Sequence, residues 1–349
     1  MIMLHSTADL IARNRRSRTR KRNLVIGLLL VILVALFLLT LMLGQSFTPP
    51  KDVVRVLLGE NVQGASFTVG KLRLPRAVLS VLAGLSFGLG GVAFQLMLRN
   101  SLASPDIIGI SSGASAAAVF AIVVLSLNGP PIVSIFAVVA GLAVALAVYG
   151  LSFRNGVAGT RLILVGIGVS AMLESVIAYI LSNAPAWSLQ EAMRWLTGSV
   201  NGARLDQMFP LLVALVVFGG LLLSRSRDLE ALRLGDDSAA ALGTNVGRTR
   251  IVIIIAAVGM IAFATAVSGP PIAFVAFLSG PPIAARVIGN NGSLLVPSAL
   301  IGAILVLAGD YCGQFLLPGR YPVGVVTGVL GAPYLIYLII RVNRSGASL

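Results

Sequence analysis

Long apolar runs separated by short polar segments dominate this chain. About 20 apolar residues in a helix, at 1.5 Å per residue, cross the roughly 30 Å hydrocarbon core of a bilayer. The first run, Leu24 to Leu43, has this length and precedes a poor cleavage site, so we interpret it as a retained helix and not as a signal peptide. The remaining runs cover approximately residues 77–98, 107–127, 132–151, 162–181, 208–223, 251–267, 269–288, 294–317 and 322–340. This pattern predicts an all-α polytopic membrane protein with about ten transmembrane helices.

The eighth run is interrupted twice by proline. The sequences Gly269-Pro270-Pro271 and Gly280-Pro281-Pro282 lie 11 residues apart, and the piece between them is too short to span a bilayer. Broken helices at membrane depth occur where protein or a water-filled cavity satisfies the backbone. We therefore predict a kinked or broken eighth segment that continues to about Ile288.

One long polar stretch, Ser224 to Arg250, lies between the sixth and seventh runs. It holds five basic and four acidic residues and predicts two short helices. The first covers about Arg227 to Leu234 and ends at Gly235. The second begins with Asp236 as its N-cap, continues through alanines, and ends at Gly243. The alanines form a low ridge that another protein can approach, although an ordinary solvated loop is an equal alternative.

The composition agrees with a membrane protein, because 57% of residues are hydrophobic and only 11% are charged, against about 25% charged in soluble domains. The net charge of +14 does not indicate nucleic-acid binding, since seven of the 26 basic residues lie between Arg13 and Arg22, directly before the first run. With the N-terminus inside, the inner segments hold eighteen basic residues and the outer segments eight. We predict cytoplasmic tails at 1–23 (disordered or lying on the surface) and 342–349, with a membrane domain at 24–341.

No enzyme constellation is present. The chain lacks a GxxxxGK[ST] phosphate loop and a catalytic histidine, and its single Cys312 and single His5 make a Cys/His metal site improbable. Two acids, Glu174 and Asp310, fall inside apolar runs, where an ionisable group is a functional candidate. For Glu174, lining a pathway and a structural role stay equally open, whereas Asp310 favours a structural role.

Other polar groups lie at predicted membrane boundaries. Trp187 and Trp195 belong to a short helix, about 188–196, that suits the interface. Arg73, Arg76 and Arg320 fall on the outer side, where either snorkelling or docking of an acidic partner explains them.

Several stretches between about residues 70 and 341 together resemble permeases of the iron–siderophore/vitamin B12 class of ABC importers, the FecCD/BtuC-like family. Any one of them is weak alone, but they occur in the family order. They are Leu72-Arg73-Leu74-Pro75-Arg76, Gln95 with Arg99 to Gly109 and Ser112-Gly113-Ala114, Trp195 to Ser199, Leu234 to Gly243, Gly269 to Arg286, Pro322 to Gly328, and Gly331-Ala332-Pro333.

This resemblance implies a BtuC-like, type II ABC importer permease fold in the cytoplasmic (inner) membrane. It implies a second permease subunit, two ABC ATPase subunits that bind ATP and Mg, and an extracytoplasmic siderophore-binding protein, with no cofactor in this chain. The polar stretch 225–250 becomes the ATPase-coupling segment, carried by Leu234, Gly235, Asp236, Asp237, Ser238, Ala239, Ala240, Leu242 and Gly243. Arg73, Arg76 and Arg320 become binding-protein docking residues, and Glu174, Ser170, Trp187 and Trp195 become candidates for the translocation path.

Three departures from the family pattern indicate one subset of the family. Ser101 replaces a usual proline, Pro281-Pro282 stands near a usual Pro-His, and Arg320-Tyr321 precedes Pro-Val-Gly where an acid is common. These changes resemble the subset of ferric-siderophore permeases, of the ferric-enterobactin type, that work as half of a heterodimer. A vitamin B12 or heme permease of the same family is the alternative. An ion-coupled secondary transporter, suggested by Glu174 and the broken eighth segment, is an alternative from another class.

Overall fold

The computed structural model describes residues 2–101, 103, 109–127, 129–152, 159–289 and 292–345. Most of the motif between residues 102 and 108, the turn containing Arg154, and residues 346–349 lie outside this part. Within it the chain forms helices and no strand. The α-helices are α1 (Ile2–Met42), α2 (Pro50–Leu57), α3 (Leu74–Leu98), α4 (Ile110–Val119), α5 (Pro130–Ser152), α6 (Gly159–Ser182), α7 (Ala186–Leu196), α8 (Phe209–Ala214), α9 (Gly220–Ser224), α10 (Ser226–Leu232), α11 (Asp236–Ala241), α12 (Val246–Ser268), α13 (Phe274–Leu278), α14 (Ala285–Ile288), α15 (Leu295–Tyr311) and α16 (Val323–Ser345).

The apolar segments match those predicted from the sequence. Six helices of the described chain are long and apolar enough to cross a membrane, and a bent pair, Phe209–Ser224 with Ser226–Leu232, passes the same test at an angle of 56°. Three shorter apolar helices, Ile110–Val124, Phe274–Ile288 and Val323–Tyr337, complete the set. The prediction of an all-α polytopic membrane protein is confirmed.

The N-terminal tail differs from the prediction, because α1 begins at Ile2 and runs without a break into the apolar run. A disordered or surface-lying segment was expected as far as residue 23. The segment contains no glycine or proline, and six of its 23 residues are arginine, a good helix former. Propagating an existing helix costs far less than nucleating one, so the membrane helix extends into its basic flank.

The helices connect two faces of the molecule. One carries α10 and α11, and we call it the α11 face. The 23 residues of α12 rise about 34 Å from it, so Ser268 lies at the opposite face. Arg99, directly after α3, lies 3.6 Å from Asp236, which places the end of α3 at the α11 face. In contrast, α16 begins at the opposite face, where Gly324 N–H donates to the carbonyl of Gly198, and its 23 residues are long enough to reach the α11 face.

Helix α3 is the centre of the fold. Of the apolar stretch within residues 66–98, 78% is buried, against 6% for α6. The backbone of α3 approaches that of α15 closely, since a Cβ built at Gly84 would lie 2.5 Å from both Ala303 Cα and the carbonyl oxygen of Gly302. Small residues permit this kind of close packing between membrane helices.

An ion pair joins the same two helices at the opposite face. Both nitrogens of the Arg76 fork, Nε and Nη2, donate to the Asp310 carboxylate at 2.5 Å. The side chains are only 17% and 9% exposed. A bidentate arginine–carboxylate pair combines charge with fixed geometry, and its position supports the structural interpretation of Asp310.

The predicted break in the eighth segment is confirmed. Between α13 and α14 the backbone leaves helical geometry at Gly280, with φ −75° and ψ −132°. Side chains from other helices bind the carbonyls around the break: Gln95 Nε2 donates to Phe277 O at 3.0 Å, and the Tyr334 hydroxyl donates to Pro282 O at 2.9 Å. Protein groups thus replace the hydrogen bonds that a continuous helix would make.

The contact between α3 and α15 predicts that replacing a helical glycine with alanine destabilises the protein at this position, although the same substitution usually stabilises a helix. We expect Gly84→Ala to lower the free energy of unfolding by about 1–3 kcal/mol, since its methyl group would meet backbone that cannot yield. The matched control, Gly220→Ala, has no atom within 4 Å of the new Cβ. It should be neutral or stabilising by up to about 1 kcal/mol. Thermal unfolding in detergent measures both, and equal effects would contradict the close approach.

The ion pair predicts a second effect on stability. Asp310→Asn leaves the Arg76 guanidinium charged and buried, so we expect a loss of about 3–5 kcal/mol in the same unfolding measurement. The double variant Arg76→Met with Asp310→Leu should recover much of this loss, because apolar groups of similar volume can replace a buried pair. Glu60→Gln, which breaks the exposed pair with Arg55, is the control and should have a far smaller effect. A double variant less stable than Asp310→Asn would disagree with this account.

Candidate functional site

The segment between α9 and α12 has a buried side and an exposed side. Leu229, Leu232 and Ala239 are fully buried, because α10 packs against α3 and α11 packs against the start of α12. The leucine spacing of one helical turn places both on the same face of α10. The segment is therefore a fixed part of the helix bundle and not a solvated loop.

On the other side of the segment, two leucine side chains are exposed. Leu234 and Leu242 are 65% and 66% exposed and flank α11, on which Ser238 and Ala240 are also exposed. Nine charged residues between positions 224 and 250 keep this segment out of the hydrocarbon. Two exposed leucines around a low alanine ridge, outside the lipid, are available for contact with another protein.

Two glycines shape the turns that bracket α11. Gly235 has a φ of +107° and Gly243 a φ of +85°, a region that disfavours other residues. The predicted helix break at Gly235 and stop at Gly243 are confirmed. The predicted N-cap is wrong, because Gly235 occupies that position and Asp236 is the first helical residue, with no side-chain capping bond.

Asp236 instead binds two arginines. Both of its carboxylate oxygens accept from Arg250 Nη2, at 2.8 and 2.9 Å, and Arg99 Nη2 lies 3.6 Å away. Arg250 belongs to the first turns of α12 and is 17% exposed at its side chain, while Arg99 follows the last residue of α3. The carboxylate therefore ties α11 to both α3 and α12.

Sequence reasoning named Asp236 but missed both of its partners. In the sequence, Arg99 stands within a family motif and Arg250 ends the polar stretch, and neither position by itself indicates a carboxylate partner. The charge balance of that stretch, with five basic and four acidic residues, was the available signal, because nearby opposite charges can pair. Asp237, the neighbouring acid, is exposed and makes no ion pair within the described residues.

At the opposite face, two of the three predicted docking arginines bind groups within the chain. Arg73 donates to the carbonyls of Leu41, Met42 and Ser46, where α1 ends, at 2.7–3.0 Å. A cation there offsets the unsatisfied carbonyls and the negative end of the helix dipole. Arg76 is held by Asp310, whereas Arg320 is exposed. Docking of a partner by these residues stays a prediction.

The candidates for a translocation path lie on α6 and α7. Glu174 is exposed on α6, and Trp187 is 77% exposed at the start of α7. Trp195 is partly buried and packs against Ala192 and residues of α4. The Ser170 hydroxyl is buried without a hydrogen-bond partner among the described groups. Ser170 and Glu174 lie one turn apart on α6 and the two tryptophans lie on α7, and their role in transport stays a prediction.

Among the described residues, no group of three or more histidine, cysteine, aspartate or glutamate side chains could hold a metal ion. On one face, the apolar bundle carries a segment that is held by charge pairs and exposes two leucines.

The comparisons with known proteins agree with this arrangement. Ferric enterobactin transport system permease protein FepG of Escherichia coli (strain K12) is 37% identical over 297 residues, covering 84% of this chain and 88% of FepG. A second permease protein of that system, FepD, is 32% identical over 325 residues, covering 92% of this chain and 96% of FepD. The solved inward-facing structure of a metal-chelate type ABC transporter matches the fold with a TM-score of 0.80 at 24% identity, over 92% of this chain and 99% of that one.

A family model, the FecCD transport family, matches residues 32–341, which include every transmembrane segment after the first turns of the first apolar run. The family that the motifs indicated is thereby confirmed. With that match, two relatives above 30% identity and the shared fold, this chain belongs to the FecCD transport family.

Proposed function

We propose that this chain is the transmembrane permease subunit of an ATP-driven importer that carries a ferric siderophore across the cytoplasmic membrane. The observation that carries the proposal is the exposed surface of Leu234, α11 and Leu242, fixed to the bundle through Asp236. FepG and FepD are named for ferric enterobactin transport, which supports the siderophore class as cargo. Vitamin B12 and heme remain the competing cargoes.

The proposed partners follow from the surfaces of the molecule. Two ABC ATPase subunits, which bind ATP and Mg, dock on the α11 face, and an extracytoplasmic binding protein delivers cargo to the opposite face. The basic residues at Arg13 to Arg22 precede the apolar run of α1, which supports a cytoplasmic α11 face and cytoplasmic termini. A second permease subunit covers α6. The occurrence of two related ferric enterobactin permease proteins in one organism supports a heterodimer.

In this mechanism, nucleotide binding brings the two ATPases together and displaces α11. Asp236 transmits the displacement to α12 through Arg250 and to the end of α3 through Arg99. Because α3 packs tightly against α15, these helices move as rigid bodies and switch the path between outward-open and inward-open arrangements. A bulky chelate requires a wide path that binds it weakly.

The ATPase-docking surface gives the first test. We expect Leu242→Glu to prevent copurification of the ATPase and to lower ATP-dependent uptake about ten-fold or more, since burial of a leucine side chain contributes about 1.5–3 kcal/mol and ten-fold corresponds to about 1.4 kcal/mol. The measurement is uptake of radiolabelled iron as ferric enterobactin into proteoliposomes that hold both permeases, the ATPase and the binding protein.

The matched control for this test is Leu58→Glu, because Leu58 is 75% exposed and follows α2 at the opposite face. The control should keep the ATPase bound. Uptake that proceeds without any ATPase would favour an ion-coupled secondary transporter and overturn the proposal. Uptake of vitamin B12 or heme in place of the ferric chelate would support the ATP-driven role but contradict the proposed cargo.

Coupling gives the second test. We expect Asp236→Asn to leave the ATPase bound but to lower the amount of iron imported per ATP hydrolysed about five-fold or more, which is the range of a typical coupling free energy. The variant weakens the charge-assisted bonds from Arg250 and Arg99 without changing the exposed leucines. Asp237→Asn, one residue away and without an ion pair in the described chain, is the control. Equal ratios of transport to hydrolysis in the two variants would remove Asp236 from the mechanism.

A further inference from the structure

A cavity of about 740 Å³ lies at the opposite face, away from α11. The start of α5, the end of α12 and the start of α8 enclose it, and α7 covers its outer end. Its volume falls within the roughly 300–1,000 Å³ range of small-ligand sites. The deep wall is apolar, formed by Ile122, Val133, Val138, Met208, Phe263 and Val267.

The cavity adjoins helix surfaces that are suited to hydrocarbon. On α5, the lining residues Ile135 and Val139 are each 61% exposed. On α8, Phe209 is 68% exposed beside the lining residue Pro210. Both helices belong to apolar spans, so an acyl chain that lies along the protein can enter the cavity from the side without crossing water.

The rim of the cavity carries one cation and one anion that lack a partner in the described chain. Arg204 and Asp206 also line it, but they pair with each other at 3.2 Å and neutralise one another. Glu191 and Arg194 lie one turn apart on α7, both exposed, and neither is paired with a charged residue among those described. The rim therefore presents separate negative and positive groups above an apolar interior.

We propose that this cavity binds a membrane phospholipid with a phosphoethanolamine headgroup. Arg194 binds the phosphate, Glu191 accepts hydrogen bonds from the primary ammonium, and an acyl chain fills the space between α5 and α8. An anionic lipid would leave Glu191 facing like charge, and a choline headgroup has no N–H to donate to it. Trp195, another lining residue, fits the same boundary, where tryptophan is favoured. Trp195 is also a candidate for the translocation path, but the proposed lipid site rests on the rim charges and the apolar wall and does not depend on the cargo.

The two tryptophans of the chain make a direct test possible. Trp187→Phe leaves Trp195 as the sole tryptophan, so its fluorescence reports on the cavity. The protein is placed in phosphatidylcholine vesicles that contain increasing amounts of a lipid brominated on one acyl chain, with an ethanolamine, choline or glycerol headgroup. We expect half-maximal quenching at about a five-fold lower fraction of the ethanolamine lipid, a preference of the size expected for partly exposed charge-assisted bonds.

Charge variants show whether the rim causes the preference. Glu191→Gln with Arg194→Gln should make the three headgroups equivalent, and both residues are exposed, so folding should be unaffected. The control, Arg55→Gln with Glu60→Gln, removes one charge of each sign at the same face outside the cavity lining, and should keep the preference. Equal quenching by all headgroups, a preference that survives the rim variant, or no quenching by any brominated lipid would each overturn the proposal. The last result would mean that protein covers the cavity.

Discussion

The close backbone approach between α3 and α15 is the constraint on which the rest of this fold depends. At Gly84 the two helices are so near that a methyl group would touch the main chain of Ala303. Lipid tails are as apolar as leucine, so membrane helices gain little from the hydrophobic effect and associate through packing of this kind. The contact fixes α3 at the centre of the molecule, and both ends of α3 are thereby positioned, one at each face.

Charged groups define those two ends. Arg76 at the start of α3 binds Asp310, and Arg99 after its last residue approaches Asp236. Each pair joins α3 to a different element, α15 at one face and α11 at the other. The two contacts differ in exposure, since Asp310 is 9% exposed and Asp236 is 34% exposed. The shielded pair suits a permanent joint, while the pair at the α11 face can rearrange at lower cost in contact with water. A rigid helix with one permanent and one adjustable end is well suited to convey movement from the α11 face.

The sequence predicted the parts of this structure that local physics decides. The thickness of the hydrocarbon sets the length of an apolar run, so all ten segments and the break near Gly280 could be located without a structure. The turn glycines 235 and 243 were predictable because few residues accept a positive φ. Pairings were not predictable, because the partners are remote: 234 residues separate Arg76 from Asp310, and 32 separate Arg73 from Leu41. The assignment of Asp236 as an N-cap was wrong for a related reason. Its carboxylate binds the guanidinium of Arg250 on α12 and not a backbone N–H group of its own helix.

Helix α6 is largely exposed in the single chain, and it carries an acid inside its apolar span. Glu174 lies in the second half of the 24-residue helix and is exposed on a side with little of its surface buried. A carboxylate facing lipid near the middle of a helix costs about 2.5–3.5 kcal/mol on insertion scales. Contact with lipid is therefore unfavourable for this side, whereas contact with water or with a protein partner is not. The same helix carries exposed apolar groups such as Met172 and Tyr179, which suit a protein neighbour. A polar path bordered by a second subunit satisfies both kinds of side chain at once, and this supports the proposal that two related permeases enclose the path along α6.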